Sequence, residues 1–370
     1  MSIVIVGAGL SGCVLAERFA ADGHHVVLLE KRPHIAGNCY DYVNEKGILI
    51  SKYGPHFFHT QSERVWEYVN RFAEWVPYNQ RTVGIYKQKK FPIPVNITTV
   101  NILFNLTIKT EEDMRAFMTT VQEPCETPTN SEEVALSRVG REMYETIFRG
   151  YTKKQWEREP AELDPSVLAR IPVRYTFEDG YFSDKYQALP RHGYTEFCKE
   201  ILNNPLIDIR VSTEYNAAEH VDAKKVFYTG PIDFYFRDKG LPELEYRSLR
   251  FEVEERPETF FQEGALVNYT EETVPWTRIC EYKHLLNQNA DGTTIVKEYP
   301  SSTGEPYYPI PSQRNLDLYE KYKVLAEEEE AKGVYFVGRL ANYKYFNMDQ
   351  AIENALNVYD KIKSHCYIDE

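Results

Sequence analysis

The first thirty residues alternate between short β-branched runs and a helical apolar pattern. Isoleucine and valine fill Ser2–Val6, which is typical of a parallel strand buried on both faces. Over Leu10–Asp22 apolar residues recur at helical spacing, and Asp22-Gly23 marks a turn. His25–Glu30 is a second β-rich run that ends in an acid. This order predicts the strand–helix–strand unit of an α/β fold.

The last forty residues predict a strand, a loop and a long amphipathic helix. The stretch "GVYFVGRLANYKYF" contains the strand and the loop, and the helix follows it. One apolar stripe is expected along that helix. It comprises Met348, Ala351, Ile352, Ala355, Leu356, Tyr359 and Ile362.

Between these two ends the residue types change along the chain. Thr82–Pro94 and Ala265–Tyr299 are rich in β-branched and aromatic residues, which favours strands. Met114–Phe117 and Ser131–Arg149 are predicted to be helical, the second with an N-cap at Asn130 or Ser131. The middle of the chain is therefore expected to add a helical insertion and a separate sheet to the α/β unit.

Three glycines between the first strand and the first helix form the motif G-x-G-x-x-G. They allow a tight turn, a close approach of a pyrophosphate, and close packing of helix on strand. The pyrophosphate is expected at the helix N-terminus, and the acid that ends the second strand suits ribose hydroxyls. The predicted dinucleotide-binding residues here are Gly7, Gly9, Leu10, Ser11, Gly12 and Glu30.

The next stretch favours FAD over NAD as the dinucleotide. In "EKRPHIAGN" a basic pair, a spacer and Gly37-Asn38 resemble the second loop of glutathione-reductase-like FAD proteins. Such proteins also return a late strand–loop–helix to the flavin, where the positive helix end favours the anionic reduced form. The additional cofactor-binding residues predicted in these segments are Lys31, Asn38, Gly338, Met348 and Asp349.

Charge and cysteine content exclude several classes of partner. The 370-residue chain has a formal net charge of −13, which argues against nucleic acid or an anionic membrane surface. No apolar run approaches the ~20 residues that span a bilayer, so membrane insertion is not expected. Six cysteines without metal-type spacing indicate reduced thiols in a cytoplasmic protein with no metal site. They are Cys13, Cys39, Cys125, Cys198, Cys280 and Cys366.

Several longer motifs carry a resemblance to one enzyme family. The chain contains "KYGPHFFHT", "GYTKKQW", "RIPVRYTF", "GYFSDKYQALP", "PWTRI", "EPYYPI" and "GRLANYKYFNMD". In this order they resemble the bacterial UDP-galactopyranose mutases over essentially the whole chain. Amine oxidases and phytoene desaturases share the first glycine loop but not these motifs.

The resemblance implies an isomerisation without net redox change, carried out by a redox cofactor. The family interconverts UDP-galactopyranose and UDP-galactofuranose, which supplies furanose for cell-surface glycans, and it needs reduced FAD. NAD(P)H is the candidate external reductant. Flavin N5 is thought to attack the anomeric carbon and expel UDP, and the adduct opens as an iminium before O4 recloses the ring. Family members in bacteria are usually homodimers.

The fold class expected is α/β, a glutathione-reductase-like FAD-binding Rossmann fold with an inserted α-helical domain and a separate antiparallel β-sheet domain. The Pro-flanked segment near 160–172 is predicted to be a mobile lid that carries Arg170 inward. The predicted boundaries are 1–80, 188–240 and 312–370 for the FAD-binding domain, 97–170 for the helical domain, and 81–96, 171–187 and 241–311 for the sheet domain.

The resemblance also assigns residues to a nucleotide-sugar substrate. Arg170 and Arg278 match the two phosphate-binding arginines, whose planar forks suit paired phosphoryl oxygens. His56 and Arg339 complete the predicted catalytic group. The predicted substrate residues beyond these are Phe148, Tyr151, Thr152, Trp156, Tyr181, Asn268, Tyr308, Tyr345, His59 and Asn347. The residues expected around the flavin are His56, Arg247, Glu298, Arg339 and Tyr345.

One position departs from the family and keeps other interpretations open. Asn347 stands where bacterial members usually carry an acid, which removes a negative charge near the sugar or the flavin. UDP-N-acetylgalactosamine and dTDP-fucose are therefore alternative substrates. An FAD-dependent amine oxidase or desaturase, and a flavin-bound regulatory protein without turnover, are hypotheses from other classes.

Overall fold

A computed structural model describes residues 2–366 of the chain, with side chains described for residues 3–364. Its helices are, in chain order, α1 (Leu10–Ala21), α2 (Glu63–Val69), α3 (Ile97–Phe104), α4 (Glu111–Val121), α5 (Ser131–Val139), α6 (Arg141–Met143), α7 (Gly150–Trp156), α8 (Ser166–Ala169), α9 (Gly193–Ile201), α10 (Ile232–Tyr235), α11 (Gln313–Glu330) and α12 (Met348–Cys366). A π-helical segment, Tyr144–Arg149, joins α6 to α7.

The strands form four sheets within the described residues. They are β1 (Ser2–Val6), β2 (His25–Leu29), β3 (Asp41–Val43), β4 (Leu49–Ser51), β5 (Phe58–Thr60), β6 (Trp75–Pro77), β7 (Thr82–Tyr86), β8 (Lys89–Ile93), β9 (Tyr186–Pro190), β10 (Ile207–Arg210), β11 (Lys225–Tyr228), β12 (Tyr246–Arg256), β13 (Leu266–Tyr269), β14 (Arg278–Glu281), β15 (Thr293–Ser301), β16 (Tyr308–Pro309) and β17 (Val334–Phe336). Two small sheets, β3-β4 and β5-β9-β6, accompany the two large ones.

The first large sheet is parallel and has the order β10-β2-β1-β11-β17. β1 lies at its centre, and α1 and α12 pack together on it in one hydrophobic core. The predicted strand–helix–strand start is confirmed, and so is the C-terminal stripe, since Ile352, Ala355 and Leu356 are buried in this core. The predicted α/β class is therefore confirmed, whereas the three-domain boundaries stay a prediction.

The second large sheet has the order β16-β12-β15-β14-β13-β7-β8. Its neighbouring strands are antiparallel except for β13 and β7, which run parallel. The register places Asn268 opposite Arg278, and Arg278 opposite Glu298. Cross-strand neighbours share one face of a sheet, so this register brings three predicted site residues into one row.

The helices α3 to α8 surround a separate hydrophobic core that includes Met114, Met143 and Ile147. The single helix predicted over Ser131–Arg149 was wrong, because Gly140 breaks it with φ 77° and ψ 172°. That conformation is open almost only to glycine. A Cβ at Gly140 would also lie 2.0 Å from the carbonyl oxygen of Val121, so the break lets the α4 terminus pack closely.

Two smaller expectations can be set against the structure. Cys13, Cys39, Cys125, Cys198 and Cys280 are free thiols, as predicted, and the Cys366 side chain lies outside the described residues. Among the residues that the structure describes, no helix is both long and apolar enough to cross a membrane.

Glycine substitutions test the break at Gly140. Gly140→Ala combines forbidden backbone with a clash, so we expect a loss of ~3 kcal/mol or more of stability and a clear fall in Tm. Gly240→Ala has positive φ but open space, so about 1 kcal/mol is expected. Gly264→Ala has neither problem and serves as the control. Thermal unfolding followed by circular dichroism measures all three, and equal Tm values for the Gly140 and Gly264 variants would contradict the account.

Candidate active site

A large cavity opens at the carboxyl ends of the parallel strands, where ligands bind in open α/β sheets. Its volume is about 1210 Å³. That exceeds the ~300–1,000 Å³ of ordinary small-molecule pockets and suits a dinucleotide. The predicted residues that line it are Gly7, Gly9, Leu10, Ser11, Glu30, Lys31, Asn38, His56, Gly338, Arg339, Asn347 and Met348.

Glycines bring two loops into near contact at this cavity. A Cβ on Gly37 would lie 2.9 Å from the Cα of Gly9, so a side chain there would push the loops apart. Gly12 does not line the cavity. Its Cβ would lie 1.9 Å from the carbonyl oxygen of Gly7, so its role is helix–strand packing, the third role of the motif.

Glu30 is held in place by the backbone around it. The carboxylate is 6% exposed and accepts hydrogen bonds from the amides of Ala8 (2.8 Å) and Arg32 (2.9 Å). A carboxylate has about four acceptor positions, so oxygens on the cavity side can still accept from ribose hydroxyls. The glycine cradle and this fixed acid fit an FAD-type dinucleotide.

Arg32 is a cavity residue that the sequence analysis missed in favour of its neighbour Lys31. Its guanidinium donates to Asn38 Oδ1 and to Glu305 Oε2, both at 2.9 Å, and lies 4.4 Å from the centre of the Tyr53 ring. Lys31 is exposed and stands 3.5 Å from Glu305. The signal was the basic pair itself, and only the fold shows that both of its members line the cavity.

His56 is half-buried at the cavity and lies near the positive charges of Arg339 and Arg278. Its Nδ1 is 2.9 Å from the carbonyl oxygen of Gly54, so Nδ1 donates and Nε2 is free to accept when the ring is neutral. Burial lowers the pKa of His56 to about 4, and the positive charge of Arg339 acts in the same direction. The imidazole is therefore neutral at physiological pH.

Arginines and tyrosines from distant parts of the chain converge beside the cavity. Tyr308 and Tyr345 stack with ring centres 5.2 Å apart. The guanidinium of Arg170 lies 4.4 Å from the centre of the Tyr345 ring, and that of Arg339 lies 5.6 Å from the centres of both rings. Arg339 also donates to the carbonyl oxygen of Phe346.

The row on the seven-stranded sheet lies close to this cluster, since Arg278 interacts electrostatically with Tyr308 and Tyr345. Arg278 Nε is 2.7 Å from Glu298 Oε2, and Glu298 is 1% exposed. Burial raises the pKa of Glu298, although Arg278 opposes this shift. Tyr151 interacts electrostatically with both groups, and burial raises the pKa of its phenol to about 12.

This cluster favours an anion. Neither Arg170 nor Arg339 has a carboxylate within 4 Å in the described part of the chain, whereas Arg278 has Glu298. Burial alone would raise the pKa of Tyr345, but the charges of Arg170 and Arg339 outweigh it and lower that pKa. Guanidinium groups with donors left over, beside the Tyr345 phenol with its lowered pKa, match the oxygens of a diphosphate.

Other predicted substrate residues lie around this cluster. Trp156 and Tyr345 have ring centres 6.2 Å apart, and Arg170 interacts electrostatically with Tyr181. Phe148 and Thr152 are buried, and Phe148 belongs to the same hydrophobic core as Trp156. These contacts bring the residues together, but their roles stay predictions.

Asn347, just before α12, and Asp349, within it, have different surroundings, and Asp349 lies near His59. His59 Nδ1 is 2.8 Å from Asp184 Oδ2, and its ring stacks on Phe182 at 3.7 Å. Burial raises the pKa of Asp349, whose interaction with His59 opposes the shift. Asn347 lines the large cavity instead, and its backbone N–H donates to Gln350 Oε1 at 2.9 Å.

Arg247 does not line the large cavity. It is 1% exposed, pairs with Glu157 at 2.9 Å and lines a separate cavity of about 390 Å³. Its Nη2, together with Asn268 Oδ1 and Glu298 Oε1, has no hydrogen-bond partner among the described residues. Buried polar atoms of this kind are rare unless a bound group completes them.

Comparison with known proteins identifies the family. Residues 146–345 match a family model described as UDP-galactopyranose mutase, and residues 5–72 match one described as an NAD(P)-binding Rossmann-like domain. A Klebsiella pneumoniae relative named probable UDP-galactopyranose mutase is 40% identical over 98% of this chain and 95% of its own length. The chain belongs to the UDP-galactopyranose mutase family.

Members of the UDP-galactopyranose mutase family are isomerases, and the match to the Rossmann-like model is consistent with FAD-type binding in the large cavity. An Escherichia coli relative named dTDP-fucopyranose mutase is 36% identical, with 96% of each chain covered. The fold is that of a solved structure titled reduced UDP-galactopyranose mutase, with a TM-score of 0.77, 16% identity, and coverage of 98% of this chain and 94% of that one.

The low pKa of His56 predicts a pH dependence of stability. Unfolding returns the imidazole toward its ordinary pKa of 6.5, while the folded value is about 4. Between these values the unfolded chain binds a proton that the folded chain does not, so stability falls as pH drops from about 6.5 to about 4. In His56→Gln this part of the pH dependence of Tm should disappear. The exposed His25→Gln serves as the control, and an unchanged slope in His56→Gln would disprove the assignment.

Proposed function

We propose that this chain interconverts the pyranose and furanose forms of a nucleoside-diphosphate hexose, with UDP-galactose as the main substrate and reduced FAD as the cofactor. The observation that carries the proposal is the cluster of Arg170, Arg278 and Arg339 with Tyr308 and Tyr345, which lies beside the dinucleotide cavity. An oxidase or desaturase acting on an apolar substrate has no use for such a cluster.

When bound in reduced form, the flavin supplies the nucleophile that the ring interconversion needs. The protein's own task is then to hold a diphosphate while its bond to the sugar is broken and re-formed. Arg170 and Arg278 oppose its growing negative charge, and the Tyr308 and Tyr345 hydroxyls donate to its oxygens. The lowered pKa of Tyr345 makes its hydroxyl a stronger donor.

Other residues keep the reacting end free of competing charge and water. Neutral His56 adds no charge beside Arg339, and its Nε2 can accept a hydrogen bond there. Tyr151 and Trp156 present aromatic faces to the base or the sugar. Burial around Glu298 limits access of water to the anomeric centre.

The same proposal includes a lid, a reductant, an assembly and a location. Arg170 follows α8 in the segment near 160–172, where Val167 and Leu168 pack in the helical core, so a shift of this segment would move Arg170. NAD(P)H is the proposed reductant and a homodimer the proposed assembly. The free thiols described above support a reducing compartment such as the cytoplasm.

A second candidate substrate is dTDP-fucose. It is favoured by the E. coli relative named dTDP-fucopyranose mutase and by the amide at Asn347, which faces the cavity where the family usually has an acid. UDP-N-acetylgalactosamine remains the third candidate.

An anaerobic assay tests the reaction and the substrate together. The purified yellow protein, reduced with dithionite, should convert UDP-galactofuranose to UDP-galactopyranose, and the oxidised protein should not. Faster conversion of dTDP-fucofuranose would transfer the assignment to that sugar. Reduced, FAD-loaded protein that converts none of the three nucleotide sugars would overturn the proposal in favour of a binding protein.

Removing a phosphate-binding charge should affect the reaction but not the cofactor. We expect Arg170→Ala to lower kcat/KM on the order of 10²-fold, because a charge-assisted bond contributes about 1.5–3 kcal/mol. FAD content should not change. Arg314→Ala, which removes an arginine that pairs with Glu245 on the surface, is the matched control. Activity of Arg170→Ala equal to that of the control would exclude a diphosphate contact.

A further inference from the structure

Lys154 lies in α7, between Tyr151 and Trp156, the two aromatic residues that we propose to contact the base or the sugar. Its ammonium points at the turn that joins β13 to β14. It donates to three backbone carbonyl oxygens of that turn, Tyr269 at 2.7 Å, Val274 at 3.0 Å and Trp276 at 2.9 Å.

An ammonium has three N–H donors, so this geometry uses all of them. No carboxylate lies within 4 Å of Lys154 in the described part of the chain, and the more distant Glu271 and Glu272 provide the negative charge nearby. The carbonyl groups come from both ends of the turn. One lysine therefore closes the turn and ties it to the helix.

A second contact, independent of Lys154, also fixes the distance between α7 and the turn. Gly150, the first residue of α7, approaches the turn so closely that a Cβ would lie 2.3 Å from the carbonyl oxygen of Thr270. The helix thus contacts the turn at two positions. At Gly150 the backbones pack closely because there is no side chain, and one helical turn later the Lys154 ammonium binds the carbonyl oxygens.

The turn begins and ends at residues of the proposed site. Asn268 lies in β13 just before it, and Arg278 is the first residue of β14 after it. Any change in the position of the turn against α7 moves Arg278 relative to Tyr151 and Trp156. The distance between α7 and Arg278 therefore depends on this contact.

We propose that Lys154 is a positioning residue for nucleotide binding, which holds Arg278 at the correct distance from Tyr151 and Trp156 of α7. The inference rests on the proposed function for the ligand, a nucleoside diphosphate. Lys154 acts through the turn and does not itself touch the substrate.

The neighbouring Lys153 provides a matched control. It also reaches the turn, but on the outside, where it pairs with Glu272 at 3.1 Å and with Glu159 at 2.8 Å. Exposed pairs of this kind contribute little to stability. Both lysines lie in α7 and reach the same turn, but Lys154 binds its backbone carbonyl oxygens whereas Lys153 binds exposed carboxylates.

Binding of UDP and of dTDP to the reduced holoprotein, measured by titration calorimetry, tests the proposal. Lys154→Met should keep its FAD and raise the Kd of the preferred nucleotide about tenfold or more, with a matching rise in KM, because small displacements of a phosphate-binding group are costly. Lys154→Arg should recover part of the affinity, since a guanidinium can donate to several carbonyl groups. Lys153→Met should stay within twofold of the wild type.

Three results would overturn the inference. A Lys154→Met protein with lower Tm but unchanged nucleotide Kd and KM would show that the lysine acts only on stability. Wild-type protein that binds neither nucleotide would overturn the proposed function, and the inference with it. If Lys154→Met does not fold, Gly150→Ala decides, because it displaces the same turn with Lys154 intact and should weaken binding equally. Unchanged binding in Gly150→Ala would count against the proposal.

Discussion

The register of three neighbouring strands is the constraint on which the site depends. It places Asn268 opposite Arg278, and Arg278 opposite Glu298, on one face of the seven-stranded sheet. A shift by one residue would turn such a row to the other face. Glu298 is 1% exposed, and a buried charge that loses its partner costs about 3–5 kcal/mol, so this carboxylate is tolerated here because Arg278 lies beside it.

The way in which the arginines are held explains how an acidic chain keeps a positive site. The formal net charge is −13, yet Arg170 and Arg339 are held by tyrosine rings and backbone carbonyl oxygens rather than by carboxylates. Rings and carbonyl groups position a guanidinium without cancelling its charge. Arg278 is partly compensated by Glu298 through its Nε, whereas Arg170 and Arg339 have no carboxylate within 4 Å among the described residues, so the three together leave positive charge for a ligand.

The parts of the fold that the sequence predicted are those with local causes. The strand, glycine turn and helix around Gly7 follow one another within thirty residues, and the stripe of α12 repeats within one element. The break at Gly140 depends on a contact with Val121, which no local pattern contains. The site residues came from motif resemblance, and residues such as Arg32 and Lys154 were missed because only the folded chain shows where their side chains point.

The π-helical segment Tyr144–Arg149 has an evolutionary consequence. Each π turn holds one residue more than the α turn it replaces, and such segments often occur at functional sites. Deleting a single residue there would restore an α turn and leave the residues after it on nearly the same side of the helix, because the shorter turn still completes one rotation. Tyr151 and Trp156 would keep their orientation. The same deletion inside α7, between Tyr151 and Trp156, would instead rotate Trp156 by about 100°. The π-helical segment is therefore a place where a descendant of this sequence can lose one codon and still keep the arrangement of these two aromatic side chains.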